Sequence, residues 1–182
     1  MEERGVGTRS RTGTLDGGTA PAGVVAKLGD LIRLKKRGTN LVDCALGEIA
    51  EGIDFDPTNL RGLGKLAGLG DAFLDEGADV AKLGRTTGFT RGRVTAFELD
   101  DVVVGFDIGD LRFDNQVEIE GAGDGPFSDG GDSGSLIVGA DKRGVALLFA
   151  GSDLGGANGQ GLTFANPLRA VLDALKVDLV LA

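Results

Sequence analysis

Glycine interrupts this chain so often that long regular elements are ruled out over most of its length. It supplies 33 of 182 residues, against a usual share of about 7%. Within a helix each Gly costs about 1 kcal/mol relative to Ala, whereas in tight turns its freedom to take positive φ is an advantage. The glycines keep no three-residue period, which excludes collagen. At 41% hydrophobic the chain can build a core, which excludes wholesale disorder. No apolar run reaches 18 residues, so a membrane-spanning helix is not expected.

Between the glycines lie short apolar segments. The pattern predicts strands near Val24–Leu34, Leu41–Ile49, Ala78–Leu83, Arg91–Leu99, Val102–Asp107, Leu111–Glu120, Ser135–Val138, Val145–Ala150 and Leu162–Ala165. Several alternate apolar and polar residues, as half-buried strands do. Val94 and Ala96, with Glu98, share one face; Val117 and Ile119 share another. Asn59–Gly70 reads as loop. One helix is expected at the end, with Asn166 as its cap, Pro167 in its first turn, and Leu168, Val171, Leu172 and Leu175 as its apolar stripe. Many short strands and one terminal helix imply an all-β fold, an antiparallel barrel or sandwich. Residues 1–23 read as an irregular arm.

Charge and rare residues narrow the chemistry. The net charge is −9, yet residues 1–40 carry 8 Lys and Arg against 4 Asp and Glu, while residues 41–182 carry 11 against 24. So acidic a body repels phosphate backbones, and nucleic acid is not an expected partner. The cluster Arg33, Lys35, Lys36, Arg37 reads as a solvated turn. Cys44 stands alone, which fits a reducing, cytoplasmic compartment or an exported protein without disulfides. The first residues lack the apolar core of a secretory signal. There is no His, so His-ligated metal sites and any complete His-based triad within these residues are excluded. No cofactor and no metal site are expected.

The run that carries chemistry is Phe127-Ser128-Asp129-Gly130-Gly131-Asp132-Ser133-Gly134-Ser135. A serine nucleophile needs its hydroxyl on a tight turn free of bulk. Flanking glycines permit that turn and turn backbone N–H groups inward. The N–H groups of Gly131 and Ser133 then form an oxyanion hole, and Ser133 is the candidate nucleophile. Asp132 is read as holding the loop by hydrogen bonds or an ion pair. An apolar strand, Leu136-Ile137-Val138, follows at once, and a second, Gly144 to Ser152, follows a turn.

This arrangement resembles the trypsin-like (chymotrypsin-fold) serine peptidases. The resemblance implies a double β-barrel in which Phe149, Ala150 and Gly151 pair with substrate backbone. It also implies that Phe127 and Ser128 lie near the base of the primary specificity pocket. Asn40-Leu41-Val42-Asp43-Cys44-Ala45-Leu46 resembles the segment in which an Asp orients the catalytic His, which nominates Asp43. Ser133 follows Asp43 by 90 positions, against about 93 in chymotrypsin, where the His precedes the Asp by about 45. That offset falls ahead of Met1, so the expectation is a chain lacking the His-bearing part of the family. Lys82-Leu83-Gly84-Arg85-Thr86-Thr87-Gly88-Phe89-Thr90-Arg91-Gly92-Arg93-Val94 resembles a signature of one branch, which includes bacterial and archaeal relatives of the plant narrow-leaf protein. Asp16-Gly17-Gly18, the run Phe149–Ser152 and Ala165-Asn166-Pro167 resemble the same branch. The resemblance spans roughly residues 13–177. The signature block itself reads as a hairpin whose turn is flanked by Gly88 and Gly92.

The expected organisation is therefore an arm at 1–23, a remnant of the first barrel with a linker at 24–77, and a second barrel with a terminal helix at 78–182. The expected function is a serine endopeptidase acting on peptide or protein substrates, or its His-less, inactive remnant. A non-catalytic peptide-binding module is the alternative, and the open edges of a half-built barrel would favour homo-oligomers. A Ser-Lys arrangement would call on Lys82 or Lys142 as the base. Other signals carry less. Gly62-Leu63-Gly64-Lys65-Leu66-Ala67 lacks the βαβ setting of a dinucleotide site. Asp54 and Asp56 lack the Gly and closing Glu of a calcium loop. Cys44 reads as a small core residue, and Asn158-Gly159 as a turn.

Overall fold

A computed structural model describes residues 12–14, 24–54, 56, 59–71 and 74–181. The first half contributes β1 (Thr12–Thr14), β2 (Val24–Leu31), β3 (Thr39–Asn40) and β4 (Ala45–Ile49). Short bridges follow: β5 (Asn59–Leu60), β6 (Gly64–Lys65) and β7 (Gly68–Leu69). The second half contributes β8 (Asp79–Gly84), β9 (Gly88–Leu99), β10 (Val102–Phe106), β11 (Gly109–Phe113), β12 (Gln116–Gly121), β13 (Leu136–Gly139), β14 (Arg143–Ser152) and β15 (Leu162–Pro167). Helix α1 (Leu168–Leu175) ends the fold.

Six strands close on themselves. The order β13-β8-β9-β12-β15-β14 is completed by a β13–β14 pairing, and all six contacts are antiparallel. Alternation explains why. Val80 and Lys82 on β8, Gly92 and Val94 on β9, and Val117 and Ile119 on β12 turn to one side and are buried. The inner faces meet in a core of Val80, Val94, Val117, Ile119, Phe127, Ile137, Val145, Ala146, Leu148 and Ala165. Closure gives each of the six strands a neighbour on both sides over part of its length.

The first half is open by contrast. Among the described residues, β1, β2 and β4 form a three-stranded antiparallel sheet that does not close. Two small clusters tie this half to the barrel. Leu34 packs with Val102, Leu111, Phe113 and Phe149, and Val42 and Cys44 pack on Val171 of α1. The β10–β11 hairpin reaches across, because β11 pairs with β3 and buried Asn40 donates to the carbonyls of Lys35 and Arg112.

Several expectations are refined. The irregular arm and Asp16-Gly17-Gly18 lie outside the described residues, except Thr12–Thr14, which is strand. The first two expected strands are shorter, ending at Leu31 and starting at Ala45. The expected strand 111–120 is two, split where Asn115 takes φ 60°. Glu98 is exposed whereas Val94 is buried, and it takes φ 50° where the β9–β12 register shifts. Gly92 does not flank a turn. It sits inside β9, where a Cβ would stand 2.6 Å from the Phe127 ring, and the turn is Arg85–Thr87. Asn166 does not cap α1. The helix begins after Pro167 with no side-chain cap, and Asn166 is buried in β15. It ends at Lys176 in the left-handed conformation, whose N–H bonds the carbonyl of Leu172.

Candidate active site

The loop from β12 to β13 carries Ser133, and a buried carboxylate fixes its shape. Asp132 is 1% exposed. Its Oδ1 accepts the N–H groups of Thr86 (2.7 Å) and Thr87 (3.3 Å). Its Oδ2 accepts the Thr87 hydroxyl (2.6 Å), the Lys82 ammonium (3.0 Å) and the Asp129 N–H (3.2 Å). Lys82, itself fully buried, also donates to Thr87 Oγ1 (2.6 Å) and stands 5.6 Å from the centroid of Phe127. Burial alone would raise the Asp132 pKa, but the hydrogen bonds from Thr87, Thr86, Lys82 and Asp129 outweigh it and hold the carboxyl down at about 2. The Thr86 hydroxyl donates to the Gly130 carbonyl (2.8 Å). The β8–β9 turn is thus the anchor of the loop that carries Ser133.

The downstream side is stitched to β14. Gly134 N–H donates to the Leu148 carbonyl (2.8 Å), and Leu148 N–H donates to the Ser135 carbonyl (3.0 Å). Both the N–H and the hydroxyl of Ser135 donate to the Asp132 carbonyl. The N–H groups of Gly131 and Ser133 donate to no acceptor among the described residues. Gly131 has φ 101°, and a Cβ there would stand 2.6 Å from the Thr86 hydroxyl, so the position requires glycine. The exposed Ser133 hydroxyl donates to the Phe149 carbonyl at 3.4 Å.

Beyond Leu148 the edge of β14 is free. Its pairing with β13 ends at Leu147, while its other side continues along β15 as far as Ser152. Phe149, Ala150 and Gly151 therefore present an unpaired edge beside Ser133, among the described residues. The Phe149 ring itself is buried, 4.8 Å from Phe113. Ser128 and Thr163 share a hydroxyl–hydroxyl hydrogen bond of 2.6 Å, and a Cβ on Gly151 would stand 3.8 Å from Ser128 Oγ. These three residues converge. Phe127 does not join them, because its ring is committed to the barrel core, 1% exposed.

Asp43 reaches the same ladder from the other half. Its N–H donates to Asn166 Oδ1 (3.0 Å), Asn166 Nδ2 donates to Gln116 Oε1 (2.6 Å), and Gln116 Nε2 donates to the Leu41 carbonyl (2.9 Å). Asn166 is the register partner of Leu147, two residues before Phe149. The half-buried Asp43 carboxylate has no hydrogen-bond partner among the described residues, and burial pushes its pKa up to about 6. Cys44 is buried, its thiol pushed up to about 11 by burial and then by the neighbouring Asp43 charge.

Sequence reasoning missed Asn166, Gln116, Thr86 and Thr87 as site supports. One signal was available: alternation puts Lys82 on the inner face with Val80, and an inward Lys needs an acidic partner. Lys142 lies in an exposed turn between β13 and β14.

This architecture is the chymotrypsin-like double-barrel fold, with the first barrel incomplete among the described residues. Similar solved structures are bacterial serine proteases. A glutamic acid-specific serine protease is 23% identical with a TM-score of 0.63, the match covering 94% of this chain and 80% of that one. The chymotrypsin of Cellulomonas bogoriensis is 21% identical with a TM-score of 0.60, covering 86% and 76%. Protease A of Thermobifida fusca is 19% identical with a TM-score of 0.58, covering 79% and 70%. No protein-family model matches the sequence, and no curated protein matches it either.

Proposed function

We propose that this chain carries the nucleophile, the oxyanion hole and the substrate edge of a chymotrypsin-like serine endopeptidase, of the branch that includes relatives of the plant narrow-leaf protein. The observation that carries this reading is the Ser133 hydroxyl resting on the Phe149 carbonyl, beside the N–H groups of Gly131 and Ser133, which find no acceptor among the described residues. Residues 78–182 act as the second barrel, and residues 24–77 as the remnant of the first with its linker.

In this reading a peptide adds a strand to Phe149–Gly151, and the Ser133 oxygen attacks the carbonyl carbon. The carbonyl π electrons move to oxygen, where the Gly131 and Ser133 N–H groups stabilise the charge. The serine proton must pass to a base and then to the leaving amine. Asp43 would orient an imidazole. These 182 residues contain no His, so the imidazole must come from outside them. Lys82 is a poor substitute, because its ammonium is held by Asp132 and Thr87. Without a base, catalysis should fall by several orders of magnitude.

The test is intact-mass analysis after fluorophosphonate treatment, on this chain and on one extended by about 60 upstream codons, more than the expected His offset. The expected result is a single adduct on the extended protein, abolished by Ser133→Ala. No adduct on either folded protein would overturn the peptidase and leave a peptide-binding module.

A further inference from the structure

We propose that the cleft beyond Ser133, on the side away from β14, is a subsite for an acidic side chain on the leaving-group flank of a bound peptide, selected by Arg85 and Arg61. The proposal rests on the peptidase reading above. A peptide lying across Ser133 has two flanks. One pairs with the free edge of β14. The other must leave over a cleft of about 300 Å³ that shares Gly131 to Leu136 with the nucleophile loop and includes no residue of β14. The rest of its lining is Leu60, Arg61, Leu63, Leu83 and Arg85.

The two arginines give this cleft its chemistry. The guanidinium carbon and Nε of Arg85 each stand 3.9 Å from where a Cβ on Gly131 would be, so a cation borders the oxyanion glycine. Arg93, Arg112 and Arg143 each have an Asp partner, at 3.7, 2.6 and 3.6 Å. Arg61 and Arg85 have none among the described residues. On a body with 11 Lys and Arg against 24 Asp and Glu, two guanidinium groups beside the nucleophile, without an acidic partner among the described residues, form a local positive field. A guanidinium offers a carboxylate paired donors in one plane, and the leucines accommodate the aliphatic stem of a Glu.

The experiment measures fluorescence anisotropy on the Ser133→Ala chain. The probes are fluorescein-labelled octapeptides, randomised over the acyl half, that carry Glu-Glu, Gln-Gln or Lys-Lys next to the scissile bond on the leaving side. Glu-Glu should bind about fivefold more tightly than Gln-Gln at low ionic strength, and Lys-Lys more weakly still. Added salt should shrink the gap. Arg85→Ala should remove most of it and Arg85→Glu should reverse it, with circular dichroism confirming that both variants fold. Equal affinity for the three peptides, binding of none, or a gap that survives charge reversal at both Arg61 and Arg85 overturns the subsite. Fluorophosphonate labelling scores the peptidase separately. An adduct without charge preference removes the subsite alone, whereas an Arg85-dependent preference without an adduct removes the chemistry and keeps the subsite.

Discussion

Strands β14 and β4 both mix glycine with aliphatic residues, yet β14 buries five of its ten residues and β4 none of its five. The difference is in their neighbours. β14 lies between β13 and β15 in a ring of six strands, so its inner face meets the inner faces of the others. Among the described residues β4 pairs only with β2, and Leu46 and Ile49 are 39% and 46% exposed. Burial here follows closure more than composition. The candidate site divides along the same line. Ser133, Asp132 and Gly131 stand on the closed side, their loop held by the hydrogen bonds to the Asp132 carboxylate. Asp43 comes from the open side, its carboxylate without a hydrogen-bond partner among the described residues.

The largest effect that could break this contrast lies at the anchor. Lys82→Met would leave the Asp132 charge buried without its cation, at a cost of about 3–5 kcal/mol. Urea denaturation should show that loss. A cost below about 1 kcal/mol would mean that the buried pair does not hold the loop. Next comes the core. Ile137, fully buried, should cost about 2–5 kcal/mol when cut to Ala. A loss near zero would contradict a packed, closed barrel.

The two carboxylates sharpen the comparison through pH. Asp132 has its pKa lowered from 3.8 to about 2. Its contribution is therefore fully present above pH 4 and is lost as pH falls through 2, about 2 kcal/mol in all. Asp43 has its pKa raised from 3.8 to about 6, so between these values the folded state holds a proton that the unfolded state has released. Stability from this group falls as pH rises from about 4 through 6, by roughly 1–3 kcal/mol. Asp43→Asn should abolish the fall above pH 4 and leave the fall below it. Denaturation midpoints across pH 2–8 that are indifferent to Asp43→Asn would show that the open half does not desolvate this group.

Much of the closed half was legible in the sequence. Val80, Val94, Val117 and Ile119 alternate, Gly-Asp-Ser-Gly marks a tight turn, and an acid inside such a turn needs donors. The supports were not legible, because their partners lie far along the chain. Asn166 beside Pro167 reads as a helix cap, and only the fold sets it between Asp43 and Gln116, 123 and 50 residues away. The resemblance puts Phe127 with Ser128 at a pocket, but its ring lies in the barrel core against Gly92, where a Cβ would stand 2.6 Å from it. The block Lys82–Val94 reads as a hairpin with its turn between Gly88 and Gly92; the turn is Arg85–Thr87 instead, and its role as anchor depends on Asp132 folding back onto it.

The smallest expected effect tests the open side most directly. Ile49→Ala in β4 removes a side chain that is already 46% exposed, so it should change stability by no more than about 0.5 kcal/mol. The same substitution at Ile137 should cost several times more. Leu46→Lys should likewise be nearly neutral, since a lysine on an exposed strand face keeps its charge in water. If Ile49→Ala instead costs as much as Ile137→Ala, this face of the sheet is covered in the folded protein. Concentration dependence then tells by what. A midpoint that rises with protein concentration means that a second copy covers it, and a midpoint that does not means that the covering layer comes from the same chain.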